Sequence, residues 1–147
     1  MRYIFVGLLM IASLFSCIEE KSTAEVPGEA TLYERLGGLP AITAVVDTFT
    51  AKVADNQQLL PFFANSDLTR FKRLLVEMIC EAANGPCSYS GRTMTEIHEG
   101  MGISNADFDA LVGELQETLN EFAVPSEEQQ ELMRIMGLRR ADIVENP

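Results

Sequence analysis

The chain has 147 residues, 47% of them apolar, with 11 basic side chains against 22 acidic ones and a net charge of −11. That length suits one compact domain once an export segment is set aside. The acid excess argues against nucleic acid or another polyanion as partner, because neutralising phosphates needs clustered Lys and Arg that this chain lacks.

At the start, Met1-Arg2-Tyr3 carries one positive charge and runs into an apolar stretch, Ile4 to Phe15, that is short for a bilayer span. The pattern predicts a signal peptide over 1–16. Leu14-Phe15-Ser16-Cys17 is similar to a bacterial lipobox, in which Cys17 is acylated and becomes the new first residue; Phe15 departs from the usual residue type, which leaves plain secretion open. An uncleaved anchor is the third alternative. A polar, aperiodic tether follows over 17–29, and the folded domain is expected over 30–147. The location implied is the bacterial cell envelope or periplasm, with a lipid anchor on Cys17.

From Thr31 helix signals succeed one another. Thr31-Leu32-Tyr33-Glu34 is a capping box that opens a short helix, stopped by Gly37-Gly38. Ile42, Val45, Val46, Phe49 and Val53 form one stripe and predict a helix over 39–55. A connection holding Pro61-Phe62-Phe63 follows. Ser66 or Asp67 then caps a helix with the stripe Leu68, Phe71, Leu75, Met78, Ile79 and Ala82, ending before Asn84-Gly85-Pro86. Tyr89-Ser90-Gly91-Arg92 reads as loop. Met94, Ile97, His98 and Met101 have i, i+3, i+4, i+7 spacing and predict one helix face with His98 pointing inward. Ser104 opens a helix with the stripe Phe108, Leu111, Val112, Leu115, Leu119 and Phe122, and Pro125 ends the connection after it. Ser126 with Gln129 is expected to cap a last helix through Leu132, Ile135 and Met136, with Ile143 as a final packing contact. No stretch alternates like a half-buried strand, so the fold class is all-α.

Cys80 and Cys87 face an oxidising compartment if export is real, and the turn chemistry of Asn84-Gly85-Pro86 allows them to pair. Two free thiols are the alternative. A metal site built on this pair has no further cysteine within the expected domain to complete it.

His98 is the one histidine. A buried imidazole on an apolar face needs partners for its ring nitrogens, and such a residue is more often a hydrogen-bonded core residue than a ligand. Met94, Ile97, Met101 and Ile103 are suited to line a flat porphyrin, with His98 as axial ligand. They are equally what an ordinary helical core shows. Local pattern alone leaves the choice open.

Taken together, Leu32-Tyr33-Glu34-Arg35-Leu36-Gly37-Gly38, Phe49, Phe62-Phe63, Asn84-Gly85-Pro86, Tyr89-Ser90-Gly91 and His98-Glu99-Gly100-Met101-Gly102-Ile103 resemble the group I truncated haemoglobins in order and spacing. The resemblance implies a two-over-two helical sandwich around one haem b (iron protoporphyrin IX), with His98 as proximal iron ligand. It further implies that Phe63 packs on the porphyrin near its distal side and that Tyr89 lies near the haem edge. Arg70 or Lys72 is the candidate for a propionate, although surface cations are usually only solvated.

The departures matter too. Thr50 stands where many relatives have tyrosine, and Phe71 and Leu75 fall at positions that are often polar. The distal pocket is therefore expected to be apolar and its hold on O2 weak, since a charge-assisted hydrogen bond to the ligand contributes on the order of 1.5–3 kcal/mol. Asn84 replaces the first of a glycine pair, which bears on the local turn. The function implied is reversible binding of a diatomic gas (O2, NO or CO) in oxygen binding or transport or in NO scavenging. The alternatives are a redox enzyme, such as an NO dioxygenase or weak peroxidase dependent on an unidentified reductant, and a haem-free helical adaptor.

Overall fold

The computed structural model describes residues 28–145; the expected signal peptide, Cys17 and nearly all of the tether lie outside them. Eight helices follow in order among the described residues: α1 (Leu32–Arg35), α2 (Gly38–Asp55), α3 (Leu60–Phe63), α4 (Leu68–Ala82), α5 (Met94–His98), α6 (Asn105–Glu121), α7 (Ser126–Gly137) and α8 (Arg140–Ile143). No β-strand occurs among those residues, and no helix there is long and apolar enough to cross a membrane.

Local chemistry accounts for most of the boundaries. Thr31 and Glu34 form the expected capping box at α1. Gly37 and Gly38 then take φ of 91° and 72°, a backbone region that side chains bearing Cβ rarely enter, so the chain turns within two residues into α2. The Tyr33 hydroxyl accepts the Leu39 N–H at 3.0 Å, and the Tyr33 N–H donates to the Ala83 carbonyl at 2.9 Å, so one residue ties α1 to the start of α2 and the end of α4. Asn84 adopts φ 59°, which asparagine tolerates better than most residues, so the turn after α4 is made without the glycine.

Two expected details come out differently. Met101 is not on the helix of His98, because α5 ends at His98 and Glu99 leaves the helical region with ψ 127°. Gly100 and Gly102 have positive φ, so the chain to Ile103 is an irregular strap. Ser126 is the first residue of α7 rather than its cap; Pro125 holds the N-cap, and the Gln129 side chain donates to the Val124 carbonyl at 2.7 Å. The Pro61-Phe62-Phe63 connection contains the short α3, with Pro near its first turn where a missing N–H has no consequence.

Packing pairs α2 with α4 and α6 with α7, and α2 also crosses α6. This is the two-over-two arrangement. Its main core contains Val46, Phe49, Val53, Ile79, Cys80, Leu115, Leu119 and Leu132, all buried. Thr50 and Thr118 are buried among them without an unsatisfied hydroxyl, since each donates to the carbonyl four residues back at 2.7 Å. A second, smaller core gathers Ile103, Phe108 and Ile143 with Phe62, Met94, Met101, Val112 and Val144. The two cores flank a cavity.

Candidate functional site

The cavity has a volume of about 320 Å³ and lies between α4, α5 and α6, with α2, α3, α7 and α8 contributing side chains. Its walls are dominated by apolar groups. On one side stand Phe49, Phe63, Phe71, Leu75 and Met78; on the other stand Met94, Ile97, Met101, Ile103 and Phe108. Phe63 and Phe71 meet edge to face with centroids 5.0 Å apart, an arrangement that the ring quadrupoles favour.

His98 is part of the wall. Its Nδ1 lies 2.7 Å from the Met94 carbonyl oxygen, one helical turn back. A carbonyl can only accept, so Nδ1 carries the proton, and in the neutral ring the lone pair is left on Nε2. Among the described residues Nε2 has no hydrogen-bond partner. A ring held in one tautomer by a backbone carbonyl, with its second nitrogen unpaired, is what an axial metal ligand requires. No group of three or more His, Cys, Asp or Glu able to hold a metal ion occurs among the described residues, so this donor set suits an ion whose remaining ligands come with it.

Of the residues singled out from sequence, His98, Phe63, Phe71, Leu75, Tyr89, Met94, Ile97, Met101 and Ile103 all line the cavity. Thr50 and Arg70 do not. The Thr50 hydroxyl is turned onto the Val46 carbonyl, and Lys72 is paired with Asp47 at 2.8 Å. The cation on the wall is Arg139, between α7 and α8, which makes no salt bridge among the described residues. Tyr89 donates its hydroxyl to the Arg92 carbonyl at 2.9 Å, and burial pushes its phenol above the usual range. Ser66 and Asp107 are further polar lining residues. Asp107 is held below the ordinary carboxylate range chiefly by the Ser104 hydroxyl, and by Gln58.

The strap after His98 is fastened from the far end of the chain. Glu145 accepts the Gly100 N–H at 2.6 Å and the Gly102 N–H, while its own N–H donates to the Ile103 carbonyl at 2.9 Å. The Gly100 and Gly102 hydrogen bonds keep its carboxyl below the usual range. Nothing in sequence spacing could have found Glu145 or Arg139, because their partners are distant in the chain. The Thr93/Glu96 capping box that starts α5 was legible as a Thr-x-x-Glu pattern.

Cys80 and Cys87 lie in disulfide geometry, with Cα atoms 5.7 Å apart, Cys80 fully buried and Cys87 two residues before Tyr89. The pair lies between α4 and the loop that leads into α5.

Comparison with known proteins agrees with this arrangement. The family model for bacterial-like globins matches residues 31–144. The chain is 36% identical over 104 residues to a group 1 truncated haemoglobin of Mycolicibacterium paratuberculosis, covering 71% of this chain and 76% of that protein. It is 33% identical to one of Tetrahymena pyriformis, covering 78% and 94%. The crystal structure of the Tetrahymena pyriformis protein in its Fe(III) form superposes with a TM-score of 0.75, covering 78% of this chain and 98% of that one. The 2/2 haemoglobin of Synechococcus sp. PCC 7002, solved in the cyanomet state with covalently attached haem, gives 0.75 at 31% identity, covering 80% and 100%. The chain therefore belongs to the bacterial-like globins, among the group 1 truncated haemoglobins.

Proposed function

We propose that the chain binds haem b through Nε2 of His98 and reversibly takes up a diatomic gas, O2, NO or CO. The observation that carries this reading is the oriented imidazole: Nδ1–H on the Met94 carbonyl and an unpartnered Nε2 on the wall of an apolar cavity. The donor set fits the group, since a planar macrocycle supplies four nitrogens of its own and asks the protein for one axial nitrogen and apolar faces. When bound, haem supplies an iron with one coordination position for the gas.

The chain's own residues then divide the work. Met94, Ile97, Met101 and Ile103 exclude water beside the axial ring, and Phe63, Phe71 and Leu75 do so across the cavity. Arg139 on the wall is a better candidate than Arg70 or Lys72 to meet a haem carboxylate. With the Thr50 hydroxyl engaged on Val46, no side chain of α2 or α4 on the cavity wall donates a hydrogen bond there, and a short-lived O2 complex follows.

Titration of the purified chain with haemin tests the reading. Wild type is expected to give a Soret band that shifts on reduction and with CO. His98→Ala is expected to lose tight binding and the CO-sensitive spectrum. A variant that holds haem as tightly, with unchanged ligand spectra, would refute it.

We also propose that Cys80 and Cys87 form a disulfide and that the mature chain is a lipid-anchored envelope protein, with acylation at Cys17. Export into an oxidising compartment would make the two proposals mutually consistent. Mass spectrometry of the membrane fraction decides the second: an N-terminal peptide beginning at an acylated Cys17 supports it, and an unprocessed Met1 terminus refutes it.

A further inference from the structure

The 99–103 strap follows directly on His98. It lies outside the helix that carries His98, contains two positive-φ glycines, and is tied within itself by a Met101 N–H bond to the His98 carbonyl at 3.1 Å. A Cβ at Gly100 would meet nothing within 4 Å, so that position calls for glycine because of its backbone angle and not for lack of room. The angles at 100 and 102 bring two N–H groups to one side, forming a concavity suited to an anion. The carboxylate of Glu145 occupies it, and the Glu145 N–H closes a third hydrogen bond to Ile103. Just before it, Ile143 is buried with Ile103 and Phe108 in the smaller core and Val144 packs against that cluster, so the residue arrives on a packed support.

Resting on the haem reading above, we propose that Glu145 is a positioning residue for the axial histidine. Its carboxylate fastens the strap that follows His98, and its negative charge, held on that strap, favours the more positive Fe(III) form of a bound haem. Acting through the strap, it differs from the wall residues, which touch the cavity itself. The site is exposed, so water can take over both glycine N–H groups when the carboxylate is removed, and the variants are expected to fold.

The test uses the full chain with Glu145→Gln and Glu145→Ala. In the apo-protein, Glu145→Ala is expected to abolish amide-exchange protection at Gly100 and lower it at Gly102 while leaving α6 protected. In the haem-loaded protein, both variants are expected to shift the iron–histidine stretching band of the ferrous form. Removing the charge is also expected to raise the midpoint potential, by about 59 mV if the Fe(III)/Fe(II) equilibrium changes tenfold. Gln keeps one acceptor and loses the charge, so it should move the potential with less loss of protection than Ala. Unchanged protection at both glycines overturns the fastening. Lost protection with an unaltered band and potential in both variants reduces Glu145 to a plain tie for the C-terminus and overturns the inference. Failure of wild type to take up haem refutes the haem reading instead, and with it the part of the inference that concerns iron; the exchange arm still decides whether Glu145 holds the strap.

Discussion

Removing the disulfide proposed between Cys80 and Cys87 offers a sharp test of how the site is held. The two residues are seven apart in sequence, and a loop of that size closed in the unfolded state removes entropy equivalent to about 2.4 kcal/mol at 25 °C. For a folded unit of roughly 120 residues, with an unfolding entropy near 2.1 cal/mol/K per residue, that free energy corresponds to a fall in Tm of about 10 °C. Cys87→Ala is the suitable variant, because Cys80 is completely buried beside Gly85 and Tyr33, where a substitution would add a packing defect to the loss of the link. Circular dichroism melts of wild type and variant, each with and without a strong thiol reductant, read the effect. The reductant should lower the wild-type Tm by a similar amount and leave the variant unmoved. A wild-type Tm that ignores reductant, or a variant within about 3 °C of wild type, would refute the reasoning from loop entropy.

Other expectations follow from single residues. Leu75→Gln places a donor on the cavity wall and should slow O2 dissociation by between about tenfold and a hundredfold, read by stopped-flow against CO. Thr50→Val should leave that rate within about twofold, because the hydroxyl serves Val46; a large change would show that Thr50 reaches the ligand. Ala123 has φ 50°, so Ala123→Gly should stabilise the chain by about 0.5–1 kcal/mol in urea melts, and a loss would contradict the strain assigned there. Glu96 and Asp107 have carboxyls lowered below their ordinary values by the Thr93 and Ser104 hydroxyls, respectively. Lowered folded values mean that their contribution is complete above about pH 4.5 and is lost as pH falls through the folded values, so the acid limb of a stability–pH curve should flatten in Thr93→Ala and Ser104→Ala.

Much of the fold was readable because its signals are local. The capping boxes at Thr31 and Ser104, the glycine pair after α1 and the stripes of α2, α4 and α6 depend on neighbours within one or two turns, where backbone sterics and amphipathic burial act directly. The apolar neighbours of His98 were legible for the same reason. The i+7 extension to Met101 was misleading: Met101 does reach the cavity, but along a strap whose positive-φ glycines end the helix first.

The sequence by itself determined an all-helical chain with one inward-facing imidazole, since periodicity and end signals suffice for that. Only the tertiary structure decided which nitrogen of His98 is free, that Thr50 turns away from the cavity, that Arg139 and not Arg70 stands on its wall, and that Glu145 closes on the strap. The His98 and Thr50 bonds run to the carbonyl four residues back and turn on which rotamer packing selects, whereas the Arg139 and Glu145 placements depend on where a distant helix end comes to lie. Hydrogen bonds of a few ångströms between residues tens of positions apart leave no periodic trace in the order of the amino acids.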